Sequence, residues 1–246
     1  MFNIPGCVLA LLCILGLVHA LRSALPEDES MRLTLAMALI PARYAGYAAE
    51  LPGGRIAEFT SLFTHMLVHG DLTHLGINSA WLLAFGGAVA HRVGAVRFFL
   101  CFVLFGLAGA ALFLAVNPTL LAPMVGASGA ISGLMGASMR FLFSAVDGDG
   151  VWRLREAPRT VPLMSLSRCL RDNRIMGATG MWLLINLLAV LGFGGLGPQG
   201  GIAWEAHVGG YLAGFLGFGW LDPVGFTPRG NPADTEKPVP DLPPVH

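Results

Sequence analysis

Charged residues are scarce, at 12% of the 246 positions, against about 25% in ordinary soluble domains. Fifteen Lys and Arg balance fifteen Asp and Glu. A net charge of zero leaves no basic surplus to hold nucleic acid and no acidic tail of any length, so no nucleic-acid partner is expected. Cysteine is sparse too. Cys7, Cys13 and Cys101 lie in apolar runs and Cys169 in an Arg-rich loop. No CxxC pair occurs, and no cysteine stands at zinc-ligand spacing from a histidine. The four read as small buried hydrophobes and one loop thiol. No HExxH motif is present. No Lys or Arg precedes the first apolar run, Ile4 to Ala20, so a cleaved signal peptide would lack its charged start. That run reads as a retained transmembrane helix.

Apolar residues and glycine, by contrast, are plentiful. Hydrophobic residues make up 54% of the chain and the mean hydropathy is +0.66. Those values exclude a disordered chain and argue against a water-soluble globule. Thirty-three residues are glycine, nearly twice the ordinary share of about 7%. In an apolar chain that excess points to helices packed closely inside a bilayer. Six apolar segments emerge when judged against the roughly 20 residues needed for a crossing: about 4–21, 72–91, 95–116, 127–143, 176–196 and 203–221. The expected fold class is therefore an all-α membrane protein, a six-transmembrane-helix bundle over residues 1–221. Residues 22–57 read as a long loop whose apolar patch, Leu33 to Ile40, forms an interfacial or re-entrant helix. Residues 222–246 are Pro-rich without an apolar run and read as a disordered tail. Arg92 and Arg97 follow the second span, and the series from Arg140 to Arg174 follows the fourth. The positive-inside rule then puts those loops, both termini and the tail in the cytoplasm.

Polar groups at membrane depth are costly and each asks for an explanation. Ser128 sits in Gly126-Ala127-Ser128-Gly129 at the outer start of the fourth segment. Glycines around a serine let backbone approach and free an N–H to face a reacting oxygen. From Ser128 to Phe143 is about 24 Å of helix, which sinks Ser128 below the outer surface. Gly129, Gly133 and Gly136 recur at i, i+4 and i+7, so the same run also reads as a helix-packing face.

His207 lies near the outer end of the sixth segment, with Gly210 and Gly214 at i+3 and i+7 on its face. Pressed against the glycines of the fourth segment, that face would bring His207 to Ser128. Alone, His207 also reads as a histidine satisfied in the bundle core. Glu205 is two residues away on another face, so a Ser–His dyad fits better than a triad.

His65 and His69 lie just before the second segment, and His74 and Asn78 lie within it. His74 and Asn78 share one helical face, and both can donate hydrogen bonds. With the Ser128 N–H they would make an oxyanion hole. His65 and His69, also at i and i+4, would suit a metal pair. No convincing third ligand joins them apart from Asp71 in the same turn, so no metal site is expected.

Taken jointly, these motifs assemble a nucleophile, a base and oxyanion donors at the outer ends of three segments. The chain resembles the rhomboid family of intramembrane serine proteases, in its bacterial form, over about residues 4–221. The resemblance rests on the His65, His69, His74-xxx-Asn78 series, Gly126-x-Ser128-Gly129, and Ala206-His207-xx-Gly210-xxx-Gly214. It implies a six-helix bundle in a bacterial inner membrane, with Ser128 as nucleophile and His207 as general base. The oxyanion hole would come from His74, Asn78 and the Ser128 backbone N–H. Implied substrates are transmembrane segments with unstable helices, cut near the membrane surface. No metal or organic cofactor is implied.

Two positions depart from the family pattern. Ser132 stands where members often carry an aromatic stacked on the base, so Tyr211 or Trp204 is expected to hold His207. The first loop lacks the Trp-Arg pair of some bacterial members. The alternative within the family is a catalytically silent protein that binds transmembrane helices. A transporter or channel is disfavoured, because no repeat links the two halves and the polar groups cluster at one side.

Overall fold

The computed structural model describes residues 4–146, 157–192 and 203–223. Its longer helices are α1 (Gly6–Ser23), α2 (Glu27–Met37), α3 (Ile56–Thr64), α4 (Leu72–Val93), α5 (Ala95–Val116), α6 (Ser128–Met139), α7 (Asn173–Val190) and α8 (Trp204–Leu221). Among the described residues, extended pairing is limited to one antiparallel bridge, Leu39 with Met124. The chain is an all-α integral membrane protein. Four helices, α1, α4, α5 and α7, are long and apolar enough to cross a bilayer. The expected tail falls almost wholly outside the described residues.

The other two expected spans differ in kind. Glycine dilutes α8 along its 18 residues. The α6 helix has only 12 residues, about 18 Å of rise, against a hydrocarbon core of about 30 Å. Every residue from Gly129 to Met139 is buried, so α6 is the centre of the bundle and meets protein on all sides. It stops at Met139, short of the expected Phe143. There Arg140 turns inward, its Nε donating to the Met164 carbonyl and its Nη1 to the Phe215 carbonyl, each at 2.8 Å.

Helix ends follow local chemistry. A single residue, Gly94, joins α4 to α5 at φ +80°, a left-handed conformation that favours glycine. The α7 helix begins at Asn173, three residues before the expected 176. Asp172 caps it by accepting from the Arg174 N–H at 3.0 Å, and the Arg174 guanidinium beside it holds the Asp172 carboxyl down to about 2. At the far end of α8, Asp222 belongs to the bundle rather than to the tail. It is buried and takes two bonds from Arg92, at 2.9 and 2.8 Å. Arg92 Nη1 also donates to the carbonyls of Pro158 and Val161. A buried pair is tolerable only when its remaining donors are satisfied in this way.

The first loop is ordered and built around α2. That helix starts after Pro26 with Glu27, Asp28 and Glu29 in its first turn, where acidic side chains suit the helix dipole. It reaches Met37, covering part of the expected Leu33–Ile40 patch. Arg43 is fully buried behind it and donates to the carbonyls of Leu35, Pro52 and Gly54. Leu39 and Met124 exchange both backbone hydrogen bonds, at 3.0 and 2.9 Å. The loop therefore braces the strand-like approach to Ser128.

Candidate active site

Glycines set the distance between α6 and α8. A Cβ on Gly210 would collide with the Gly129 carbonyl, and one on Gly214 with the Gly133 carbonyl. On the facing helix, a Cβ on Gly136 would strike the Tyr211 carbonyl. Backbone thus lies against backbone along the seam, as small residues permit in membrane helices. Ser128 is the first residue of α6 and His207 lies in the first turn of α8. The seam brings Ser128 Oγ to 2.7 Å from His207 Nε2, across 79 positions of sequence.

A second group closes on Ser128 from α4. Gly126 takes φ +119°, and its N–H donates to the His65 carbonyl at 2.8 Å. A Cβ there would sit 2.8 Å from His74 Cε1 and Nε2 and 3.7 Å from Asn78 Nδ2. Both side chains therefore reach over the backbone two residues before Ser128. Asp71 caps α4, its side chain accepting from the His74 backbone N–H at 2.8 Å. Asn78 is buried, and its Nδ2 has no hydrogen-bond partner. A buried amide N–H without a partner is costly unless something else binds there. Together with the open N–H groups at the start of α6, this is a place for negative charge.

The other two histidines of the series also touch the backbone just before Ser128, and His69 Nδ1 has no hydrogen-bond partner among the described residues. His65 Nδ1 donates to the Ser61 carbonyl at 2.8 Å. His69 Nε2 accepts from the Ala127 N–H at 3.4 Å, and its ring meets His74 edge-on at 5.0 Å between centroids.

The support of His207 differs from expectation. Neither Trp204 nor Tyr211 holds it. Trp204 is exposed. Tyr211 stacks on Trp182 and Phe215, with centroids 4.7 and 5.9 Å away, and its hydroxyl pairs with Thr179 at 2.6 Å. Glu205 is turned away and accepts from Asn117 Nδ2 at 3.0 Å. The partner is Asn186 on α7, whose Oδ1 lies 2.5 Å from His207 Nδ1. Sequence reasoning missed it, although the signal was present: Asn186 is the lone polar residue in an apolar run from Met181 to Val190.

A family model described as Rhomboid domain matches residues 57–222, a stretch that holds every residue of this site. No curated protein sequence matches the chain.

Proposed function

This chain belongs to the rhomboid family, and on that premise we propose that it is an active intramembrane serine protease. The observation that carries the reading is the 2.7 Å contact between Ser128 Oγ and His207 Nε2. A serine hydroxyl is a weak nucleophile until a base stands ready to take its proton. His207 Nε2 takes that proton as Ser128 Oγ attacks the carbonyl carbon of the scissile peptide bond. The tetrahedral oxyanion is received by the side-chain N–H groups of His74 and Asn78 and by the Ser128 backbone N–H. His207 then protonates the leaving amine, and the acyl group stays on Ser128. Water, deprotonated by the same imidazole, releases the acid product and restores the serine. The route asks for no metal and no organic cofactor. Gly126, Gly129, Gly210 and Gly214 act through placement, keeping the reacting side chains within reach.

The substrates are transmembrane proteins presented within the lipid bilayer, cut near the membrane surface. The distribution of Arg92, Arg97 and the Arg140–Arg174 series supports a plasma-membrane orientation with both termini cytoplasmic.

The test is cleavage of a reporter transmembrane substrate by purified protein in detergent. Ser128→Ala and His207→Ala are each expected to abolish cleavage at unchanged helicity and melting temperature. A dyad acts as a unit, so losing either member costs nearly as much as losing both. Full cleavage by folded Ser128→Ala would refute the proposal and leave the helix-binding alternative.

A further inference from the structure

We infer that Asn186 is a positioning residue for His207, so that the site works as a Ser–His–Asn triad assembled from three helices. The inference rests on the protease reading above and adds a residue to it.

The donors and acceptors around the ring select its tautomer. Asn186 Nδ2 donates to the Trp182 carbonyl, one helical turn back, at 2.8 Å. That bond fixes the amide orientation and leaves Oδ1 facing His207. An amide oxygen only accepts. The 2.5 Å contact to His207 Nδ1 is therefore a hydrogen bond in which Nδ1–H donates. In a neutral imidazole the proton on Nδ1 leaves a lone pair on Nε2. Nε2 is the nitrogen that faces Ser128 Oγ, at 2.7 Å, and the lone pair is what a base needs there. The opposite tautomer would set a lone pair against the amide oxygen and an N–H against the nucleophile.

Burial supports the assignment. Only Ile175, Asn186 and Ala189 are buried on α7, whose remaining surface is mostly exposed and apolar. A polar side chain turned inward from such a helix needs a partner, and both ends of the Asn186 amide have one. The structure also explains how Ser132 can stand where a ring would brace the base. The brace comes from the other side, through Nδ1, and Tyr211 one turn below His207 clamps α7 by its contacts with Trp182 and Thr179.

The test uses the full chain, purified in detergent, and a small fluorophosphonate that reacts with an activated serine without a transmembrane substrate. Asn186→Leu removes the acceptor at similar size, and Asn186→Ala removes it without adding a branched side chain. Both are expected to label about tenfold more slowly than wild type, the rate equivalent of one neutral hydrogen bond. On a reporter substrate the loss should fall in kcat with KM little changed. Asn186→Asp keeps an acceptor for Nδ1 but gives up the bond to Trp182, and it should recover most of the rate. Nitrogen-15 spectra of His207 should show one Nδ1-protonated tautomer in wild type and a mixture in Asn186→Leu. Wild-type labelling in folded Asn186→Leu or Asn186→Ala, or equal losses in all three variants, would overturn the triad while leaving the protease intact. A wild type that never labels would instead refute the protease reading, and the tautomer spectra would still decide whether Asn186 sets the ring.

Discussion

Helix α8 meets α6 and α7 by opposite means. Against α6 it presses Gly210 and Gly214 onto backbone carbonyls, so the seam is steric and has no room to give. Against α7 it offers Tyr211 and His207, which meet Trp182, Thr179 and Asn186 through one ring stack and two hydrogen bonds. The glycines of α7 behave differently as well. A Cβ on Gly177 or Gly180 would meet nothing within 4 Å. The first seam decides whether Ser128 and His207 meet. The second decides how the imidazole presents itself once they do. Position is thus secured by close packing and protonation by a few polar contacts, and the two can be perturbed separately.

The largest effect should come from the steric seam. Gly210→Leu must displace the Gly129 backbone, and overpacking of a tight core costs about 1–3 kcal/mol or more. We expect a lower melting temperature together with loss of activity; unchanged values of both would dissolve the contrast. Close behind should be Asp222→Ala at the C-terminal end of α8, which leaves the buried Arg92 guanidinium without its carboxylate. Breaking such a pair costs about 3–5 kcal/mol, read as a drop in melting temperature in detergent.

At the polar seam the effects should be smaller. Trp182→Ala removes the stack on Tyr211, worth about 0.5–1.5 kcal/mol beyond its buried area. It should slow fluorophosphonate labelling several-fold while the bundle stays folded. Thr179→Val deletes one hydrogen bond, at about 0.5–1.5 kcal/mol, and should be measurable mainly as a small loss of stability. Smallest of all, Gly180→Ala should leave activity within about twofold and raise stability by at most about 1 kcal/mol through the unfolded chain. A large loss there would mean that α7 packs as tightly as α6.

What could be read from the sequence follows the same division. The i, i+4 glycines beside His207 and Ser128 are a local pattern with one physical meaning, close helix approach, and they pointed to the α6–α8 seam. The His74 and Asn78 pair was legible because both lie on one face of one helix. The support of His207 was not. Ser132 signalled that a ring was missing, but its replacement comes from a helix 21 positions before the base, and nothing in the spacing relates the two. Asn186 was visible only as a polar residue in an apolar run. Glycine alone could not separate the seams either, since Gly177 and Gly180 look as significant in sequence as Gly210. The length of α6 was misjudged because a helix enclosed by protein need not match the bilayer, and its end is set by the inward turn of Arg140.

In the proposed protease, the α6–α8 seam makes a working nucleophile of Ser128. The direct measurement is mass-spectrometric mapping of the fluorophosphonate adduct on the purified wild type and on His207→Ala. We expect a stoichiometric adduct on Ser128 in the wild type, insensitive to EDTA or phenanthroline, and none in folded His207→Ala. An adduct elsewhere, or an undiminished Ser128 adduct without His207, would contradict it.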